Sequence, residues 1–551
     1  MTPEIQAFSA SKDLKELYVE ESCDSERTEL IDKNAENTKR LNKDLNIRHL
    51  VFLAVGGSIG TGLFINSGSA LNLGGPASLV LDWGLVATCL ITVMNALGEM
   101  AATYPVNGGF NVYFDKFLDP SVAFAVNINY VLQWAVLLPL ELVAASMTIQ
   151  YWNNKLNPDI FVAVFFAVIV VINFMDVKVY GEVEVVLSLI KILAIIGFFI
   201  LGIVLICGGT PGGHYIGNKY WREKAFVGAP GVPRFKNICS NFVVAFFSYS
   251  GVESCCLAAA ESKNSHKTLP KSSKRTFWLV TLSYLSILTL VGFLIPYDDP
   301  RLLGGSNSVD VTASPLVIAI ENGGIKGLSS LMNAIILIAV LSVANSAVYA
   351  CSRCLASMAQ LGSVPSILGK VDKRGRPMNA ILVTLFIGLL SFVAASDKQE
   401  EVFTYLSALS GLSTLFLYFS INLSHLRFRY AMKVQNRSLD TLPYKSMTGV
   451  WGSVYGCVVL VLIFIASWWT SLEGTKVFFQ SFASLFVLIG SYLGHKIYSR
   501  RWFKYYIKGK DIDLDTGKRD IDEEVFKQEI LLEKQRYASY PWYKKFFEFW
   551  C

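Results

Sequence analysis

The feature that most limits this 551-residue chain is where charge is missing. Of its 92 Lys, Arg, Asp and Glu residues, 42 lie in residues 1–49 and 496–551, which leaves 50 for the 446 residues between. A soluble domain carries roughly a quarter of its residues charged, so this middle is too poor in charge to face water. Ile160 to Asn173, Val185 to Cys207 and Trp278 to Pro296 carry at most one charge each. Runs of about 20 such residues cross a hydrocarbon layer of about 30 Å as helices, the form that satisfies every backbone polar group within one segment. The chain therefore reads as an all-α integral membrane protein. A soluble enzyme, a disulfide-rich secreted domain and a nucleic-acid binder are excluded, the last because the net charge of +6 is not gathered into a basic stripe.

Apolar runs bounded by Gly, Pro and charge predict twelve spans, centred near residues 61, 90, 135, 167, 195, 249, 286, 340, 387, 413, 460 and 486. The expected organisation is an N-terminal tail over 1–49, a transporter domain over 50–498 and a C-terminal tail over 499–551. The first 49 residues are polar and mixed in charge, unlike a signal peptide. An even span count puts both tails on one side. With the N-terminus inside, the inward loops hold 16 Lys and Arg and the outward loops 10, five of them in the long loop Gly208 to Lys236. That bias predicts two cytoplasmic termini. Cys207 and Cys239 bracket an outward loop and could bond, whereas the Cys351 and Cys354 pair lies on a membrane helix and reads as small packing residues.

Two spans cannot form straight helices cheaply. The first reads Val55-Gly-Gly-Ser-Ile-Gly-Thr-Gly-Leu-Phe64, with four glycines in seven positions, each costing about 1 kcal/mol relative to alanine in a helix. The sixth reads Phe246-Phe-Ser-Tyr-Ser-Gly-Val-Glu253. Close packing through small residues explains either one alone. Their separation by five spans points further, because a five-helix unit repeated once enters the membrane from the opposite face. The result is a five-plus-five inverted repeat with discontinuous helices 1 and 6, the pattern of a secondary transporter that binds its substrate between them. Freed N–H groups in such a break favour an anion and freed carbonyls a cation. An α-amino acid carries both charges on one carbon. Its carboxylate is expected against Gly60, Thr61 and Gly62, and its ammonium against carbonyls around Ser58, Phe247 and Ser250, with Ile59, Ser248 and Gly251 completing the two breaks.

At these residues the chain resembles the fungal amino-acid permeases of the amino acid, polyamine and organocation superfamily, most of all the general amino-acid permeases. The likeness runs through the Gly-rich first span, Leu138-Pro-Leu-Glu-Leu-Val-Ala-Ala-Ser-Met-Thr-Ile-Gln-Tyr-Trp152, Ser342-Val-Ala-Asn-Ser-Ala-Val-Tyr-Ala-Cys-Ser-Arg353, Ala408-Leu-Ser-Gly-Leu-Ser413, His425-Leu-Arg-Phe-Arg429 and the terminal Phe549-Trp550-Cys551. It implies twelve spans with a five-plus-five core and proton-coupled uptake of amino acids, of broad range, at the plasma membrane. Residues Val252-Glu253-Ser254-Cys255-Cys256 depart from the usual continuation of the sixth span, which bears on substrate range. Similar permeases are removed from the surface after ubiquitin is attached to N-terminal lysines, so Lys12, Lys15, Lys33, Lys39 and Lys43 are expected acceptors for a ubiquitin ligase.

Outside loops and tails two basic residues remain, Lys191 and Arg353. Arg353, near the end of span 8, can snorkel to the interface. Lys191 lies 13 residues beyond Lys178, about 20 Å along a helix and so near mid-membrane. A buried ammonium is expensive there, which makes it either a proton carrier or a charged strut bonded to carbonyls of the first break. Members of the wider superfamily place a lysine where sodium-coupled relatives hold a cation. Among the acids, Glu253 adjoins the second break and is a partner for a substrate cation or a coupling proton. Glu141 is a coupling candidate or a structural acceptor, Glu182 and Glu184 read as solvated at the entry of span 5, and Glu99 has no assigned role. Ser342, Asn345 and Ser346 line the pathway or serve as small polar packing.

No HExxH metal site and no phosphate-binding glycine loop is present. The expectation is a carrier without enzymatic activity, cofactor or metal, whose partners are L-amino acids, protons and membrane lipid. A receptor-like sensor with the same pocket is the rival. The aromatic and lysine-rich C-terminus suits the membrane interface, and Cys551 could accept a palmitoyl chain.

Overall fold

In the computed structural model the described residues are 46–500, 506–518 and 539–542, apart from 107, 153–154, 210–214, 228–232, 258–264, 303–313, 326, 373, 395–398 and 473. The N-terminal lysines, most of the C-terminal aromatic segment and Cys551 lie outside them. Secondary structure among the described residues is helical throughout.

The first apolar segment is three helices in series, α1 (Ile47–Ser58), α2 (Thr61–Phe64) and α3 (Asn66–Gly74). Then follow α4 (Pro76–Thr103), α5 (Phe110–Phe117), α6 (Pro120–Gln150), α7 (Pro158–Asn173) and α8 (Val177–Ile206). Helices α4, α6 and α7 each begin with proline, whose fixed φ and missing N–H suit the first helical position. Asp119 and Asn157 cap α6 and α7 by accepting from Ser121 N and Asp159 N at 2.9 Å each. After short connecting helices the sixth segment is again divided, into α9 (Phe242–Tyr249) and α10 (Ser254–Leu257). The long helices that follow are α11 (Ser265–Leu294), α12 (Leu328–Gln360), α13 (Met378–Gly388), α14 (Gln399–Val434), α15 (Gly449–Ser471) and α16 (Thr475–Tyr498), with short helical turns between some of them.

Among the described residues eight helices are long and apolar enough to cross a membrane, namely α4, α6, α8, α11, α12, α14, α15 and α16, and the apolar helices α1, α7 and α13 are shorter. Each of the twelve expected centres falls within a helix. The outer surfaces of α8, α15 and α16 expose Ile, Val, Leu, Phe and Trp side chains in rows, the face expected toward lipid rather than water. By contrast α6 is buried almost throughout and packs against α12, α14 and α16, while α4 packs along α11 and α1 lies between α8 and α11. The two divided segments therefore sit in the interior of the bundle, where side chains of α6 reach them.

Cys207 and Cys239 are unbonded thiols. Cys351 and Cys354 are buried, their sulfurs directed at the carbonyls of Val131 and Asn127 on α6 at 3.7 and 3.8 Å, a packing arrangement. Part of the C-terminal tail is tied down: Ile512 and Leu514 are buried, and the Gln435 amide donates to Ile512 O at 2.7 Å.

Candidate functional site between two broken helices

Helix α1 stops at Ser58. Ile59 is extended (φ −85°, ψ 98°), Gly60 takes φ −154° and ψ −137°, and α2 starts at Thr61. The Ser58 hydroxyl donates back to Ala54 O at 2.8 Å. The first N–H groups of α2 have no partner within their own helix by construction. The second break spans residues 250–253. There Gly251 has φ +97°, and a Cβ on it would lie 2.7 Å from Gly57 O, so both its conformation and its neighbour require glycine. Gly62 makes a second close approach, since a Cβ there would lie 2.6 Å from Ser248 Cα.

The side chains around the breaks come from α6, α11 and α12. The Thr61 hydroxyl donates to Glu141 Oε1 at 2.7 Å, while Glu141 Oε2 is buried with no hydrogen-bond partner among the described residues. Pro139, inside α6, removes a helical donor two residues before it. Gln133 Nε2 donates to Ser250 Oγ at 2.6 Å. The Tyr284 hydroxyl lies 2.9 Å from Ser58 O and 2.8 Å from Ser248 O, so one α11 side chain joins both divided helices. Gly57, Ser58, Gly60, Thr61, Gly62, Leu137, Glu141, Phe247, Ser250 and Val343 enclose a space of about 10 Å³. That is room for about one water molecule, so an amino acid enters only if the divided helices and their neighbours separate. A larger cavity of about 350 Å³ lies elsewhere, between α6, α14, α15 and α16, and its lining is almost wholly apolar.

Of the residues singled out in the sequence, Ser58, Gly60, Thr61, Gly62, Phe247, Ser250 and Glu141 meet at this space. Ile59 is buried beside it, Ser248 packs on Gly62 and Gly251 on Gly57. Ser342 and Asn345 are directed elsewhere: Ser342 Oγ donates to Glu184 Oε2 at 2.7 Å and Asn345 Nδ2 to Glu184 Oε1 at 3.0 Å. Glu253 also stands back from the space. It closes the second break by accepting from Gly251 N at 3.1 Å and from the Tyr130 hydroxyl at 3.2 Å. Lys191 is fully buried and its Nζ donates to Gly56 O at 2.8 Å, in the last turn of α1 before the break.

One expectation is corrected. Glu182 is solvent-exposed and paired with Arg48 at 2.6 Å, but Glu184 is fully buried. The reason is helical geometry: α8 begins at Val177, and position 184 lies on the face of Lys191, two turns away. That seven-residue spacing was the signal for it. No local signal marks Tyr284 or Gln133, whose roles depend on tertiary packing.

A family model described as amino acid permease matches residues 49–508. The histidine permease of Saccharomyces cerevisiae is 61% identical over 523 residues, covering 94% of this chain and 87% of the relative. The general amino-acid permease of the same yeast is 48% identical over 519 residues, covering 93% and 86%. A general amino-acid permease of Candida albicans is 49% identical over 517 residues, covering 93% and 87%.

Proposed function

Because the chain belongs to the amino acid permease family, a family of multi-pass membrane transporters rather than enzymes, we propose that it takes up L-amino acids by proton symport across the plasma membrane. In this reading both termini are cytoplasmic, residues 50–498 form the transporter domain between tails 1–49 and 499–551, and twelve spans contain a five-plus-five inverted repeat. The observation that carries it is the meeting of two helix breaks around Gly60–Gly62 and Ser250, with Glu141 beside them.

The substrate carboxylate is assigned to the N–H groups at Gly60, Thr61 and Gly62, and the ammonium to the Phe247 and Ser250 backbone and to Glu141. Main-chain recognition leaves the side chain loosely specified, which favours a broad range. The 61% identical histidine permease makes L-histidine the first substrate to try. Glu141 and Lys191 carry the coupling; Glu253, held by backbone and tyrosine donors, keeps the second break in shape. Tail lysines are the expected points of attack for a ubiquitin ligase, and lipid surrounds α8, α15 and α16. A sensor without flux is the weaker reading, since the relatives named above are permeases.

Radiolabelled L-histidine uptake at two external pH values, against a panel of competitors, tests this. Uptake rises at the lower pH, and decarboxylated or N-acylated analogues fail to compete. Equal competition by a decarboxylated amine overturns the anion site. Lys191→Arg abolishes accumulation, because guanidinium stays charged; transport by that variant with an unchanged pH profile makes Lys191 a strut.

A further inference from the structure

Among the buried carboxylates that the substrate reading leaves unused, Glu184 lies nearest to Lys191 along α8. It has no exposure, and its two oxygens accept from Ser342 and Asn345 of α12, at 2.7 and 3.0 Å. Asn345 is itself oriented by Asn173 of α7, whose Nδ2 donates to Asn345 Oδ1 at 2.8 Å. Each oxygen accepts one of these bonds, so the carboxylate is held in place against α12. Lys191, two turns along the same face of α8, reaches the same residue of α1 that Glu184 touches. Lys191 Nζ bonds Gly56 O at 2.8 Å, and a Cβ on Gly56 would lie 2.3 Å from Glu184 Oε2. Ammonium and carboxylate thus converge on Gly56 from two levels of one helix.

A solvent-exposed side chain lies close by, toward the start of α8. Two residues before Glu184, about 3 Å of helix rise, Glu182 is exposed and pairs with Arg48 and His49. One turn before Glu184 on its own face is Tyr180, whose buried hydroxyl has no hydrogen-bond partner among the described residues. Its ring stacks on Tyr349 at 4.9 Å, over which the Arg353 guanidinium lies at 4.0 Å. The groups facing Glu184 are therefore Lys191, Ser188 and Tyr180 on α8, Gly56 on α1, and Ser342, Asn345 and Ser346 on α12, with Glu141 of α6 reaching it through Lys191. The polar file runs from mid-membrane to the end of the bundle that carries the start of α1 and residues 506–518, the side assigned above to the cytoplasm.

We propose that Glu184 is the acceptor through which the proton carried on Lys191 is released to the cytoplasm. An N–H bond of the Lys191 ammonium breaks and an O–H bond forms on the Glu184 carboxylate, so a charged pair becomes a neutral amine and a neutral acid. The acid then gives the proton to water beside Tyr180 and Glu182, which restores the carboxylate, and Lys191 is recharged from the substrate side. Gly56 times the step. As the last turn of α1 moves, the contact that holds both side chains against one residue is lost.

The inference rests on the proton-symport reading, and the experiment separates the two. The full-length protein in liposomes is given radiolabelled L-histidine at fixed external pH while the interior pH is varied, and exchange is measured with L-histidine on both sides. In the native protein, net uptake rises as the interior becomes more alkaline; no dependence on interior pH here, together with none on external pH in the uptake assay above, overturns symport and the release step together. With symport established, Glu184→Gln lowers net uptake about a hundredfold or more, the range of one positioned acid–base group. It also flattens the dependence on interior pH while exchange persists, and Glu184→Asp restores part of both. Gly56→Ala displaces the Glu184 carboxylate and has the same effect, with no further loss when combined with Glu184→Gln. Native interior-pH dependence in Glu184→Gln overturns the release step and leaves symport standing. Loss of exchange and uptake together in both Glu184→Gln and Glu184→Asp overturns it as well, because the residue is then a strut.

Discussion

Two glycines carry more of the site than any charged residue. Gly62 and Gly251 let the divided helices touch, one against Ser248 Cα and the other against Gly57 O. A side chain at either position must push backbone rather than the tip of a flexible side chain, and overpacking of that kind costs about 1–3 kcal/mol. Gly62→Val is expected to block uptake while the protein still reaches the membrane, checked by transport against surface labelling of the same cells; normal uptake would remove the break from the mechanism. The glycine run was legible because four glycines in seven positions conflict with a membrane helix. Lys191 was legible as a lone charge in an apolar run, whereas Glu184, seven residues before it, shares its face but stands close to Lys178 and Glu182, a charged neighbourhood that resembles a solvated helix entry. Tyr284, which bridges the two breaks, looks in sequence like any aromatic residue in an apolar span.

At the scale of elements, length and apolarity were enough to find the helices, since each expected centre falls within one. What composition could not supply was how far the tails stay free. Residues 506–518 fold back onto α5 and the end of α14. Lys116 Nζ donates to Thr516 O at 2.6 Å, the Tyr104 hydroxyl to Leu514 O at 2.9 Å, and Arg427 to Ile507 O. Asp513 organises the turn by accepting from the backbone of Asp515 and Thr516 at 2.9 and 3.0 Å, beside Lys116. Partial burial pushes its carboxyl up, but the Thr516 and Asp515 donors and the lysine outweigh this and bring it down to about 2. A depressed carboxyl stabilises docking fully above its unfolded value near 3.9 and loses that contribution as pH falls toward about 2. Corrected for the intrinsic rate at each pH, hydrogen exchange in the 506–518 peptide should therefore be slow at neutral pH and fast below about pH 4. Asp513→Asn should show the fast exchange already at neutral pH, and an unchanged rate would mean that Ile512 and Leu514 hold the segment by themselves.

For the whole molecule, a site of about 10 Å³ means that transport requires bodies to move relative to one another. Their boundaries are suggested by packing: α4 on α11 and α12 on α6 are the two most extensive helix interfaces, with α1 also against α11 and α13 also against α12. If α1, α4, α9 and α11 move as one unit against α6, α7, α12 and α13, two cross-links of similar geometry should behave oppositely. A Cβ on Gly57 of α1 would lie 3.5 Å from Ser346 Cβ of α12, and one on Gly98 of α4 would lie 3.9 Å from Ser273 Cβ of α11. Both separations suit a disulfide, whose Cβ atoms sit roughly 3.5–4.5 Å apart. The first pair crosses the proposed boundary and the second lies within one unit. Oxidising Gly57→Cys/Ser346→Cys should stop uptake and reduction should restore it, with each single variant unaffected by oxidant, whereas oxidised Gly98→Cys/Ser273→Cys should transport as before. Uptake by the first pair with its disulfide shown to be formed would mean that α1 and α12 travel together, and the moving boundary would then have to be drawn elsewhere.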